Sequence, residues 1–316
     1  MVISASLGAE NFSPVLVLKV ALNHIPHPGF IGHFQTGEYG ELIWQFHILR
    51  TLLAALVGTS LALSGAALQG LLLNPLADPY MVGVSTGAAV GAGIAVLLGL
   101  SLIFLPLFAF VSALISVAVV YALARRGENV SMLSFILAGV VVGSFTWAAL
   151  SFLFSIAPNQ TRDRIVFWTM GSLAASDPWS RIVLLAPITC IGFIALYALS
   201  RDLNLFALGE ESASYLGVRV EGLKRIIIVL TTLLAAAAVS VSGTIGFVGL
   251  MVPHIARRLV GPDNRLLFPA SALLGAILMI LADTIARTII APSEVPIGII
   301  TALLGAPFFL YLLRKT

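Results

Sequence analysis

WQFHILRTLLAALVGTSLALSGAALQGLLL, residues 44–73, runs for thirty residues with one permanent charge, Arg50. A helix needs ~20 apolar residues to cross a bilayer, so this run is long enough to span one. Gly58, Ser60, Ser64, Gly65, Ala66 and Ala67 lie inside it. Small side chains let helix backbones approach closely, which is how helices associate where the solvent is as apolar as leucine. The stretch reads as a span covered by other spans rather than by lipid.

The rest of the chain repeats the pattern. Of 316 residues 59% are hydrophobic and 10% charged, against about 25% charged in a soluble domain. Further spans are expected at 81–100, 102–124, 131–156, 182–199, 226–248, 249–260, 266–290 and 297–313, the short 249–260 piece being broken or partial. The fold class is an all-α polytopic membrane protein, a tightly packed bundle of about nine spans. Gly87, Gly91 and Gly93 extend the small-residue packing into the second span. VLVLKVAL (15–22) is too short to cross, and no signal-peptide form precedes it.

Several chemistries are excluded or disfavoured. A single cysteine, Cys190, forbids an intrachain disulfide and a cysteine zinc site. None of the three lysines, Lys19, Lys224 and Lys315, follows a glycine, so a Walker A loop is absent. No basic patch suggests nucleic acid. His24, His27 and His33 sit in a Pro/Gly-rich loop without metal-ligand spacing and read as solvated. GVSTG (83–87) matches the nucleophile-elbow pattern, but its flanks are helical and His254 is the only intramembrane base. It reads as a helix-packing start, with an intramembrane hydrolase as the rival. NPLADP (74–79) reads as a turn.

Charge orients the bundle. Eleven of the 17 Lys and Arg fall in loops of one side, from Arg125 and Arg126 through Arg201, Arg219, Lys224 and Arg225 to Arg314 and Lys315. The positive-inside rule places that side, with the C-terminus, in the cytoplasm. Residues 203–225, LNLFALGEESASYLGVRVEGLKR, belong to it. Leu203, Leu205, Phe206, Leu208, Tyr215 and Leu216 form a helical stripe too small for a core, and Gly209 and Gly217 punctuate two short helices. Glu210 and Glu211 stand at the positive end of the second. Alone, this is an interfacial loop or a surface awaiting a partner. On the outer side, Asp283 and Arg287 are four apart on one helix face, a structural pair or a charge offered outward, and Arg50 invites the same reading. Asp283 is also the one candidate coupling residue for an ion-driven secondary transporter. ALSGAALQGLLLNP (62–75) and SVSGTIGFVGLMVP (240–253) form a faint repeat, compatible with inverted halves.

Together, residues 50–93, 203–225, GTIGFVGLMVPHIARRLVGPDNRLLFPASALLGA, LADTIAR and SEVPIGIITALLGAPFFLYLL resemble the FecCD-type permeases, the membrane subunits of type II ABC importers. The resemblance implies ten spans and a homodimer. It also implies two copies of an ATPase subunit, which carry the ATP and Mg, and a periplasmic or lipoprotein binding protein. The cargo class it implies is an iron–siderophore, haem or cobalamin, or in some members molybdate, with no cofactor bound by this chain. Gly209, Glu210, Glu211, Ala213, Leu216 and Gly217 inherit the ATPase-coupling role, and Arg50 and Arg287 the docking of the binding protein. The pathway is expected along 131–156 and 297–313, with Ser144, Ser151 and Thr301 as weak lining candidates and no sharp pocket. The family's R-L-P-R reads HILR here, so His47 replaces one docking arginine with a group that titrates near neutrality. SASLGAENFSP resembles the end of the family's first span. Residues 1–43 are therefore expected to be an outer segment with that remnant, and 44–316 the permease domain.

Overall fold

The computed structural model describes residues 1–7, 12–24, 34, 39–127, 129–175 and 177–314. Two short helices, α1 (Val2–Ser6) and α2 (Pro14–His24), lead into α3 (Gly40–Leu42), a π-helical turn at Ile43–Ile48 and α4 (Leu49–Leu71). A 3₁₀ turn (Pro79–Val82) precedes α5 (Val84–Leu97) and α6 (Leu105–Ala124), and a two-residue hairpin, β1 (Arg125–Arg126) with β2 (Asn129–Val130), leads to α7 (Met132–Ile156). Then come α8 (Asn159–Thr169), α9 (Pro178–Ala198), α10 (Ser200–Phe206), α11 (Glu210–Tyr215), α12 (Val220–Ser242), α13 (Val248–Val260), α14 (Asn264–Thr288) and α15 (Ile297–Leu313).

Six helices are long and apolar enough to cross a membrane among the described residues: Gly40–Leu71, Leu105–Ala124, Met132–Ile156, Pro178–Ala198, Val220–Ser242 and Asn264–Thr288. Three expected spans form helices of fewer than 18 residues, two of them within a residue of the expected bounds. The 81–100 stretch forms the 14-residue α5, because Gly83 takes a left-handed conformation (φ 79°) and ends the 3₁₀ turn before the helix begins. The 249–260 stretch forms the 13-residue α13, and 297–313 the 17-residue α15. The expected span at 226–248 is displaced: α12 starts at Val220 and stops at Ser242, where Gly243 (φ 70°) breaks it. Helix α8 and the β1–β2 hairpin were not expected. Their sequences carry polar residues without a long apolar run.

Helix α4 is the post of the bundle. Most of its length is buried, whereas α6, α7, α9 and α14 leave broad apolar faces uncovered. A Cβ on Gly58 would collide with the Gly275 carbonyl of α14, and one on Gly275 with the Gly58 carbonyl. A Cβ on Gly65 would collide with the Gly249 backbone of α13. Hydroxyls reinforce these approaches. Ser60 Oγ meets Thr189 Oγ1 of α9 at 2.7 Å, Ser64 Oγ donates to Thr231 O of α12 (2.8 Å), and Thr59 Oγ1 donates to Ala272 O of α14 (3.1 Å). The two faint repeat segments therefore cross each other, and Gln69 Nε2 adds a bond to Leu250 O (3.2 Å).

Gly58→Ala is expected to destabilise the protein by about 1–3 kcal/mol through overpacking, read as a lowered thermal midpoint in detergent. Gly70→Ala, where the new methyl would lie 3.5 Å from Leu203 Cδ2, is expected to be neutral or stabilising by up to about 1 kcal/mol, as for a strain-free helical Gly→Ala change.

Candidate functional site

Arg50 opens α4, and Gly70 at its far end faces Leu203 of α10. The two charge-bearing regions of interest therefore lie at opposite ends of the post.

At the Gly70 end, α10 and α11 form an elbow. Gly209 (φ 105°) and Gly217 (φ 88°) hold the conformations that turn the chain before and after α11. Val218 N–H donates to Ala213 O (3.0 Å) and Gly217 N–H to Ser214 O (3.0 Å), closing the C-terminus of α11 in a Schellman arrangement. The expected free stripe is split. Leu203 and Phe206 are buried in the core and Leu205 is half-buried, while Leu208, Tyr215 and Leu216 remain 65%, 83% and 57% exposed. Ala213 is fully buried and anchors the elbow. Asn204 fastens α10 to the start of α14 by donating to Asp263 Oδ1 (2.6 Å) and accepting from Asn264 N–H (2.9 Å). The Arg265 N–H and the Asn204 amide hold the Asp263 carboxyl below its usual range.

Of the six expected coupling residues, Glu211 and Leu216 are exposed, Ala213 faces inward, and the two glycines shape the backbone. Glu210 is also exposed, with its side chain 51% accessible, and its carboxylate accepts from Lys224 Nζ (2.6 Å), a contact the sequence reading did not foresee.

At the Arg50 end, four charges are locked together. Arg50 donates through Nε to Asp283 Oδ1 (3.0 Å) and through Nη1 and Nη2 to the two oxygens of Glu294 (2.7 and 3.0 Å). Arg287 Nε lies 3.0 Å from Asp283 Oδ2, as the i,i+4 spacing predicts. Its Nη1 donates to Leu7 O (2.8 Å) and its Nη2 to Ser4 O (3.1 Å), so α1 is strapped to α14. Asp283 is 1%, Arg287 4% and Arg50 8% exposed. His47 is also buried, edge-on to Phe12 with ring centroids 5.2 Å apart. The three residues expected to face a binding protein thus point inward in this conformation. Two acids and two arginines cancel in charge, which is how buried ions become tolerable. Glu294 was missed, although its signal was present as a lone acid before a long apolar run. It borders a cavity of about 410 Å³ with Arg50, Phe46, Leu173 and Pro178.

The pathway candidates divide. Ser144 and Ser151 lie on the uncovered face of α7, each hydroxyl donating to its own helix, to Val140 O (2.9 Å) and Trp147 O (3.0 Å). Thr301 is buried and donates to Gly298 O (3.1 Å). A second cavity, of about 450 Å³, lies beside it, lined by Thr169, Thr244, Gly246, Gly298 and Leu303 among others. His24 stacks on Trp44 with ring centroids 4.0 Å apart. His27, His33, Lys315 and residues 8–11 of the first-span remnant lie outside the described residues. In GVSTG, Ser116 Oγ donates to Gly83 O (2.9 Å) and Gly87 packs on Ser116, the helix-packing arrangement.

A helical bundle with uncovered apolar faces, an ion cluster at one end and a projecting elbow at the other has the form of a membrane-spanning protein. The FecCD transport family model matches residues 1–315. The ABC transporter permease YvrB of Bacillus subtilis (strain 168), itself uncharacterised, is 42% identical over all of this chain and 91% of its own length. The hemin transport system permease HmuU of Yersinia pestis is 41% identical over 86% of this chain and 83% of its own. The cobalamin permease BtuC of Halobacterium salinarum (strain ATCC 700922 / JCM 11081 / NRC-1) is 44% identical over 86% and 73%. A solved metal-chelate type ABC transporter in an inward-facing conformation superposes with TM-score 0.83 at 35% identity, covering 96% of this chain and 97% of that one. The chain belongs to the FecCD transport family.

Asp283→Asn leaves two buried guanidiniums facing a neutral amide. It is expected to cost about 3–5 kcal/mol, the scale for breaking a buried pair, seen as loss of folded protein after extraction. Glu294→Gln, at a side chain 41% exposed, is expected to cost about 1 kcal/mol or less and to purify normally.

Proposed function

We propose that this chain is the translocating subunit of an ATP-driven importer for a metal-chelate nutrient: an iron–siderophore, haem or cobalamin, with molybdate as an alternative cargo. It works as a homodimer with two ATPase subunits, which bind the ATP and Mg, and receives cargo from a binding protein on the outer side. The charge bias of the loops supports a cytoplasmic elbow and C-terminus.

The observation that carries the reading is the elbow. Leu208, Tyr215 and Leu216 are apolar and exposed beside Glu211, on a segment whose backbone is fixed by Ala213 and the Schellman closure. A rigid, partly apolar, partly acidic knob is suited to a socket on another subunit. Cargo moves by alternating access: closure of the ATPase pair displaces the elbow and switches the helix bundle, built as two inverted halves, between outward-open and inward-open states. The uncovered face of α7 and the cavity beside α15 border the route, with Ser144 and Ser151 on it. Docking of a binding protein at Arg50 and Arg287 requires an acidic partner to displace Glu294 from Arg50, with His47 beside them.

An ion-gradient transporter is the second reading. It needs an acid free to change partners at mid-membrane, and Asp283 is held between two arginines instead.

Combining Glu211→Lys with Leu216→Asp is expected to reduce co-purification of the ATPase subunit by about tenfold or more, the effect of removing a contact residue that contributes at least 1.4 kcal/mol. Undiminished co-purification would contradict the assignment of the elbow.

A further inference from the structure

Lys224 is one of the most buried charged side chains in the protein, 3% exposed, and it lies at the start of α12 rather than in the elbow itself. Its ammonium meets Glu210 Oε2 of α11 (2.6 Å) and Glu221 Oε1 one turn earlier on α12 (2.9 Å), and reaches Val130 O of β2 at 3.4 Å. The second oxygen of Glu221 accepts the Val130 N–H (3.0 Å). Three separate elements therefore meet at one ammonium: the elbow, α12 and the hairpin that leads directly into α7. Val130 stands two residues before Met132, the first residue of α7, with Ser131 capping the helix through its hydroxyl (3.4 Å to Ser134 N).

The elements differ in how firmly they are held. Helix α12 is largely buried within the chain, while α7 is among the least covered of the long helices. Helix α11 packs chiefly against α10 and α12, its buried side chain being Ala213. A displacement of α11 thus reaches the rest of the molecule chiefly through α10 and α12, and the charged contact ends at the foot of a helix with a broad uncovered face. The ammonium is buried while its two carboxylates are partly exposed, so losing either partner leaves a buried charge with half of its compensation.

We propose that Lys224 is a positioning residue that relays movement of the elbow to α7, through Glu210 on one side and Glu221 and Val130 on the other. The relay rests on the ATP-driven reading above, since an ATPase must supply the movement. Glu210 is the input of the relay, Lys224 its node and the first turn of α7 its output.

The test uses this chain in complex with its ATPase subunit in proteoliposomes. The exposed Cys190 is replaced by serine, and an environment-sensitive fluorophore is placed at Leu133→Cys, an exposed position in the first turn of α7. The emission change on adding MgATP is read per ATPase bound. Glu210→Gln is expected to reduce that change by about fivefold or more, the lower end of the usual coupling between distant sites. Lys224→Arg, which keeps the charge, is expected to retain most of it. A full response in Glu210→Gln and Lys224→Met alike would overturn the relay, as would an unresponsive α7 in the unmutated chain with the ATPase bound. Failure of the ATPase to bind the unmutated chain would instead overturn the reading of the elbow.

Discussion

Within a bilayer the hydrophobic effect does not push apolar helices together, so the bundle depends on how closely backbones can approach and on bonds between helices. That approach is made on α4. Gly58 against Gly275 and Gly65 against Gly249 bring α14 and α13 to backbone contact, and the hydroxyls of Thr59, Ser60 and Ser64 tie the same helix to α14, α9 and α12. A post built in this way cannot bend or slide without breaking several contacts at once. Of the long helices around it, α7 and α9 are the least covered within the chain.

The few charges act as connectors. At one end of α4, Asp283 sits between Arg50 and Arg287 and joins α4, α14 and, through Arg287, α1. At the other end, Lys224 joins α11, α12 and β2. The first cluster is neutral overall and closed except at Glu294, the exposed member and the one an incoming acid could replace. The second connects a projecting surface with a helix foot. In both, a buried cation is paired with at least one partly exposed acid, so the charge is compensated where it joins separate elements.

Much of this was legible in the residues. Membrane class, the long helices and the helical elbow follow from apolar run length and from Gly209 and Gly217, which are strong local signals. The i,i+4 pair of Asp283 and Arg287 was readable because it is local. The partners 233 and 244 residues from Arg50 were not, since no period in the sequence links Arg50 to Asp283 or Glu294. The same limit hid the Lys224 node. The split of the elbow's stripe depends on which residues meet α4, a tertiary matter: Leu203 faces Gly70, while Tyr215 faces outward. Span ends were misplaced where a glycine with positive φ breaks an apolar run, because hydropathy does not register backbone conformation.

Energy source is the central claim, and uptake reports it directly. In proteoliposomes holding this chain with its ATPase subunit and binding protein, uptake of the chelate is predicted to require MgATP and to be unaffected by collapsing the proton gradient. Uptake driven by a proton gradient in vesicles lacking the ATPase would contradict the account.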